Sequence, residues 1–285
     1  MDGFLFVNKE KNLTSRQVCD LVGKKFHTKK VGHVGTLDPF ATGLLIVSIN
    51  KGTKAGTFFD DSDKRYVATI CLGKRTDTLD TEGKVVEEKE VPNLTKEEIK
   101  KVLSSFLGKS KQIPPMTSAV HINGQKLYKL AHQGKEIDRP SREVEIFDIK
   151  LLSYENNLLK IDVKVSKGTY IRVLGSDIAT KLGTCGYLTA LERTEIGPFI
   201  IEKDSLIENI SEKDIHPISE VLGAFSEVKK VDKKEENDIK NGKILTIDMK
   251  SDFNKLLIIN SLNDAVAMYT RKSKNDKFSF ARGLF

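Results

Sequence analysis

The residues best suited to chemistry by type and spacing form one run, Gly32-His33-Val34-Gly35-Thr36-Leu37-Asp38-Pro39-Phe40-Ala41-Thr42-Gly43. This run presents a single carboxylate, Asp38, on a loop with little freedom. Gly35 permits tight backbone geometry, and Pro39 fixes its own φ and restrains Asp38 toward an extended conformation. Glycines on both sides let a bulky substrate approach the main chain. Loops held this firmly often carry function. Asp-Pro pairs are also ordinary turn residues, so on residue type alone a plain turn is the default. Paired-carboxylate chemistry of the glycoside hydrolase kind needs a second acid. Asp60, Asp61 and Asp63 are close in sequence, but nothing marks one of them as a proton donor of raised pKa.

Thiol and metal chemistry find no support. Cys19, Cys71 and Cys185 are odd in number, widely spaced and lack a Cys-x-x-Cys pair, which argues against a disulfide framework and a zinc site. His27, His33, His121, His132 and His216 show no ligand spacing, and no metal is expected. The 285 residues carry 47 Lys and Arg against 40 Asp and Glu, a formal charge of +7. That balance suits a polyanionic partner without demanding one. Two clusters are more local, Lys24, Lys25, Lys29 and Lys30 ahead of the glycine-rich run, and Lys64, Arg65, Lys74 and Arg75 around a probable strand.

The elements that must position these groups can be read from the same rows. Phe4 to Val7 is a short apolar strand. Thr14 and Gln17 form a capping box, after which Val18, Leu21, Val22 and Phe26 share a helical face. Val31 to Asn50 reads as a glycine-bearing loop leading into an apolar strand, Leu44 to Ile49. Tyr66 to Leu72 is another strand. Leu94 to Gly108 predicts a helix with Thr95 and Glu98 as its capping box and Gly108 at its stop. Leu159, Ile161, Val163 and Val165 alternate with polar residues as in a half-buried strand, and Ile171 to Leu182 suggests a helix closed by Gly183. Irregular mixing of strands and helices favours an α+β fold with a largely antiparallel sheet. The densely charged stretch from Ser226 to Lys243 precedes strands at Leu256 to Ile259 and Ala265 to Tyr269, so a boundary is placed between residues 1–225 and 226–285. No apolar run reaches membrane-spanning length and the N-terminus lacks a secretory pattern, which predicts a cytoplasmic protein with no membrane partner.

The run from Gly32 to Gly43 resembles the signature of the TruB family of pseudouridine synthases, Gly-His-x-Gly-Thr/Ala-Leu-Asp-Pro-x-Ala-x-Gly. The resemblance covers roughly residues 3 to 200. Lys51-Gly52-Thr53-Lys54, Asp63-Lys64-Arg65-Tyr66, and the segment Gly73 to Thr78 resemble further family motifs. So do Gln112-Ile113-Pro114-Pro115 with Ser118 to Val120 and Asn123 to Tyr128, and Gly168-Thr169-Tyr170-Ile171-Arg172. Leu188 to Arg193 resembles the family's Leu-x-x-Leu-x-Arg helix-entry region. Two departures are plain: Glu10 follows Lys9 where the family has proline, with Asn12 at the place of a glycine, and His132 replaces a common arginine.

The resemblance implies the pseudouridine synthase fold, a bent and mainly antiparallel sheet flanked by helices, with a small β-rich, PUA-like RNA-binding domain at the C-terminal end. It implies isomerisation of uridine 55 in the T loop of tRNA by a monomer that uses no cofactor and no guide RNA. Asp38 is then the catalytic carboxylate, acting at C1′ of the ribose, at the base, or on a sugar proton. Arg172 pairs with it, and Tyr66 packs on the base and helps remove the C5 proton. Tyr170 and Leu191 wall the pocket. His33 fills the space left by a flipped base, Thr76 and Asp77 lie near that nucleotide, and Lys9 lines the site. Lys24, Lys25, Lys29 and Lys30 contact phosphates. The competing expectations are the guide-RNA branch of the same superfamily, with a longer PUA domain, and an RNA-binding protein without catalysis, in which Asp38 or Arg172 would be lost.

Overall fold

The structure is a computed structural model that describes residues 1–59, 61–118, 121–122, 125–126, 137–243 and 246–285. Ala119, Val120, Asn123, Gly124, Leu127, Tyr128 and His132 of the central motif region, and Asp60, lie outside the described residues. The chain divides into two compact units. One comprises Met1–Pro39, Gly43–Asp60 and Gly197–Phe285; the other comprises Phe40–Thr42 and Asp61–Ile196. Contacts rather than chain order define these units.

In the first unit, β1 (Gly3–Lys9) pairs antiparallel with β3 (Thr42–Ile49), Gly3 opposite Ile49 and Lys9 opposite Gly43. Between them run α1 (Ser15–Lys25) and β2 (Val31–Val34), which also pairs with β3. The capping box of Thr14 and Gln17 starts α1 as its sequence predicts. The buried face of α1 differs by one position: Val18, Cys19, Val22 and Phe26 are buried while Leu21 is exposed. Strand β2 was not expected, since four residues that include a glycine give too short a pattern to distinguish strand from loop. A short α2 (Gly52–Ala55) runs into a 3-10 turn, where Phe59 packs edge-on against Phe4 and Phe225.

The second unit is an antiparallel sheet. Its strands are β4 (Lys64–Leu72), β7 (Gly108–Gln112), β10 (Arg142–Glu155), β11 (Leu158–Val165) and β12 (Gly186–Ile196), in the spatial order β12-β4-β11-β10-β7. The alternation of β11 is realised: Leu159, Ile161, Val163 and Val165 are at most 1% exposed. Burying side chains of this size stabilises by ~1.5–3 kcal/mol each. Small hairpins join β5 (Lys74–Thr76) to β6 (Val85–Glu88) and β8 (His121–Ile122) to β9 (Gln125–Lys126). Helix α3 (Lys96–Ser104) has the expected capping box but stops at Ser104, because Gly108, at φ +90, opens β7 instead of closing the helix. Helix α4 (Ile171–Lys181) ends before Gly183, at φ +88.

The remaining elements belong to the first unit. After β13 (Phe199–Ile200) and α5 (Ile218–Gly223) comes a second sheet. Its strands β14 (Glu227–Lys230), β15 (Lys255–Ile259), β16 (Ala265–Thr270) and β17 (Ser279–Gly283) lie in that order, with β14 parallel to β15 and the others antiparallel. This sheet has its own apolar core, including Val231, Leu256, Ile258, Tyr269 and Phe278. The charged stretch before it is not a bare linker: α6 (Lys233–Lys240) starts on a capping box of Asp232 and Glu235 and contributes Ile239 to that core.

Candidate active site

Asp38 sits in the loop between β2 and β3, and its two chain neighbours are fastened from outside the loop. Gly35, at φ +65, turns the chain out of β2. Ser15, the buried first residue of α1, accepts the Leu37 N–H at 2.9 Å and donates to the Leu37 carbonyl at 3.1 Å. On the other side, the Pro39 carbonyl accepts from the Asn12 N–H at 2.8 Å and from the Lys9 ammonium at 3.2 Å. Asp38 itself is half-buried. Asn12 has φ +69, a left-handed conformation that asparagine tolerates and glycine adopts freely. The departure from glycine at this position is therefore compatible with the turn that meets Pro39.

Lys9, expected to line the site, is fully buried at the end of β1. Besides Pro39, its ammonium donates to the carbonyls of Leu13 at 2.6 Å and Glu10 at 2.9 Å. Lysine is rarely buried to this extent, and here main-chain carbonyls accept from its ammonium. These contacts tie β1, the turn before α1 and the Asp38 loop together. His33 is half-buried on β2, opposite Val47.

In the second unit, Tyr66 is buried on β4 opposite Arg193 of β12 and Val163 of β11. Leu191 of β12 is opposite Ala68, two residues beyond Tyr66, so Tyr66, Leu191 and the buried Arg193 share one face of the sheet. Leu188 to Arg193 is thus strand, not the entry to a helix; its apolar residues are those of a central strand.

Tyr170 and Arg172 open α4. Tyr170 is the N-cap and makes no side-chain cap. Its backbone is gripped by the buried Gln112, whose Oε1 accepts the Tyr170 N–H at 2.7 Å and whose Nε2 donates to the Tyr170 carbonyl at 3.1 Å. Arg172 is 4% exposed and its Nη1 donates to Asp80 Oδ2 at 3.0 Å, to Thr78 O at 3.1 Å and to Thr117 Oγ1 at 2.8 Å; Nη2 reaches Thr117 O at 3.3 Å. Asp80, 1% exposed, is fully engaged: Thr78 Oγ1 and the Glu82 N–H both donate to its Oδ1, at 2.6 and 2.9 Å. A buried ion pair of this kind holds only when the remaining donors and acceptors are satisfied. Thr76 is buried and donates to the Asp80 carbonyl at 2.7 Å. Asp77 is exposed and accepts the Lys84 N–H at 2.9 Å across a turn where a Cβ on Gly83 would lie 2.8 Å from the Thr78 nitrogen.

Sequence reasoning did not single out Ser15, Asp80 or Thr117, and it quoted Gln112 only as part of the Gln112 to Pro115 motif, without a role. Asp80 carried a signal as the nearest acid after the Gly73 to Thr78 motif, and Gln112 as the first residue of its own motif; Ser15 and Thr117 are ordinary polar residues until the fold brings them to Leu37 and Arg172. The two basic clusters also separate. Arg65 bridges Asp148 and Asp162, Lys74 meets Glu88 and Arg75 meets Glu87. Lys25 donates to the carbonyls of Ile207 and Glu208. Lys24, Lys29 and Lys30 are exposed and form no ion pair among the described residues. Lys24 and Lys29 line an open cavity of about 820 Å³ together with Arg16 and His27. Among the described residues no group of three or more His, Cys, Asp or Glu side chains converges as a metal site, and no helix is long and apolar enough to cross a membrane.

Residues 23–171 match the model of the TruB family pseudouridylate synthase N-terminal domain. A protein of Francisella philomiragia called tRNA pseudouridine synthase B is 45% identical over 213 residues, covering 74% of this chain and 70% of that protein. A protein of the same name from Borreliella afzelii is 40% identical over 259 residues, 90% of each chain. Among solved structures, a chain of a Cbf5-Nop10-Gar1 complex superposes with a TM-score of 0.74 at 22% identity, over 99% of this chain and 85% of that one. That likeness bears out the expected fold, a mainly antiparallel α+β pseudouridine synthase with a β-rich C-terminal part.

Proposed function

The chain belongs to the TruB family of pseudouridylate synthases, and from that premise we propose that it converts uridine 55 in the T loop of tRNA to pseudouridine. The activity belongs to the class of intramolecular isomerisations. The C1′–N1 glycosidic bond breaks, the uracil turns, and a C1′–C5 bond forms. The C5 proton leaves and N1 takes up a proton, so uracil keeps its composition and no redox partner is needed. In this proposal Asp38 is the nucleophilic carboxylate, attacking C1′ or the base or first accepting a ribose proton. Each of these routes needs an ionised carboxylate at a fixed place.

The observation that carries the proposal is the fastening of the Asp38 loop, with Leu37 held by Ser15 and Pro39 held by Lys9 and Asn12, in a chain 40–45% identical to proteins named tRNA pseudouridine synthase B. Tyr66 is proposed as the aromatic platform for a flipped base, which loses its stacking partners on leaving the loop. Arg172 is proposed as the cationic group of the reaction, Tyr170 and Leu191 as walls around the base, His33 as the ring that enters the vacated space, and Asp77 as a contact near the flipped nucleotide. The proposed enzyme is a cytoplasmic monomer that works without guide RNA, with residues 226–285 as a second RNA-binding module.

An unmodified tRNA transcript incubated with the purified protein alone, followed by position-specific detection of pseudouridine, tests substrate and site together. Full conversion at position 55 and nowhere else is expected. Conversion only after a guide RNA and partner proteins are added, or at positions outside the T loop, contradicts the proposal.

A further inference from the structure

We propose that residues 112–117 form a positioning strap for the two residues that open α4, with Thr117 as a positioning residue for Arg172; the inference rests on Arg172 taking part in the proposed reaction. The strap follows β7 and touches α4 at two points. At its start, Gln112 holds both backbone polar groups of Tyr170. At its end, Thr117 Oγ1 accepts from Arg172 Nη1 at 2.8 Å, and its carbonyl accepts from Nη2 at 3.3 Å. Tyr170 and Arg172 are two residues apart at the N-terminus of one helix, so the strap fixes the helix start by its main chain and the guanidinium by its tip.

Two separate elements each make contacts to Arg172. Asp80 and the Thr78 carbonyl hold it from the β5–β6 hairpin, and Asp80 supplies the balancing charge. Thr117 comes from a separate segment and supplies no charge. Nη1 has two hydrogens and three oxygen neighbours here, and the Thr117 hydroxyl is the nearest of them. A planar guanidinium held from both sides has one rotamer, whereas a single ion pair leaves it free to pivot about the carboxylate. Thr117 is only half-buried, so removing its hydroxyl does not open a core cavity. The Gln112 contact, by contrast, satisfies two main-chain groups of the helix cap. The strap therefore separates into a stability contact, Gln112, and an orientation contact, Thr117.

The test is a single-turnover comparison of the full chain and its Thr117→Val and Thr117→Ser variants on tRNA transcript, repeated in an Arg172→Lys background. Thr117→Val is expected to lower the rate of the chemical step roughly tenfold or more, the size of a lost hydrogen bond to a charged group, with unchanged tRNA affinity. Thr117→Ser keeps the hydroxyl and is expected to restore most of the rate. In the Arg172→Lys background the Thr117→Val loss is expected to shrink, because residues that act through one another are not additive. A Thr117→Val enzyme with the wild-type rate overturns the proposal, as does a loss that Thr117→Ser does not rescue or one that adds in full to that of Arg172→Lys. An Arg172→Lys variant with the wild-type rate removes the role of Arg172 itself, a different failure from that of the strap.

Discussion

Ser15 bridges both main-chain polar groups of Leu37, one residue ahead of the carboxylate that the proposed chemistry requires. Replacing it with alanine leaves a buried N–H and a buried carbonyl without that partner, a loss of about 1–3 kcal/mol. We expect Ser15→Ala to unfold at lower denaturant and to turn over more slowly at saturating tRNA, since a carboxylate on a looser loop spends less time in its attacking geometry. A denaturant titration run beside a kcat measurement checks both. Lys9→Met removes the ammonium from three carbonyls in a fully buried position. We expect it to lower stability by at least about 2 kcal/mol, more than Ser15→Ala does in the same titration. At this scale the motifs single out Asp38, Tyr66 and Arg172 as candidates by residue number, and their roles are proposals. The sequence was illegible where a partner comes from far along the chain: Arg172 and Asp80 are 92 residues apart, and no spacing rule pairs them before the sheet is built.

Capping boxes made the helices readable. Thr14 with Gln17 and Thr95 with Glu98 both start helices where the residue types predict. Thr95→Ala is expected to cost about 1 kcal/mol, seen as a lower melting temperature. The end of α3 was misread because a glycine at positive φ serves equally as a helix stop and as the first residue of a strand. The charged stretch before the second sheet was read only as densely charged, and its helix, opened by the Asp232 and Glu235 capping box, was not predicted. There Glu236 is buried and accepts from Lys240 at 2.6 Å and Lys233 at 3.1 Å, which with Asn260 holds its pKa down at about 2. A carboxyl depressed in the fold stabilises above its unfolded pKa, roughly 4.3, and that contribution fades as pH falls from there through about 2. Between pH 5 and pH 3 the melting temperature of Glu236→Gln is expected to fall less than that of the wild type. Equal falls in the two proteins would show that Glu236 makes no such contribution.

For the molecule as a whole, a net charge of +7 says little about where a polyanion binds. The structure distinguishes the clusters: Arg65, Lys74 and Arg75 are paired on strands, whereas Lys24, Lys29 and Lys30 form no ion pair among the described residues. Counterion release makes affinity for a duplex stem fall with salt by a slope of roughly 0.9 for each phosphate contact. A variant with glutamine at Lys24, Lys29 and Lys30 is expected to reduce that slope by roughly 2–3 in tRNA binding titrations and to leave kcat unchanged, while Arg75→Gln leaves the slope as it was. Residues 226–285 do form a separate small sheet, as the run of strands suggested, yet the compact units follow contacts that composition does not reveal.

The central claim, that Asp38 is the catalytic carboxylate of a uridine isomerase, is tested most directly by tritium release from tRNA labelled at C5 of uridine. Wild-type protein is predicted to release tritium in step with pseudouridine formation, and Asp38→Asn, which preserves shape and removes the charge, to release none while still binding the tRNA. Release by Asp38→Asn at a rate near the wild type would contradict the account.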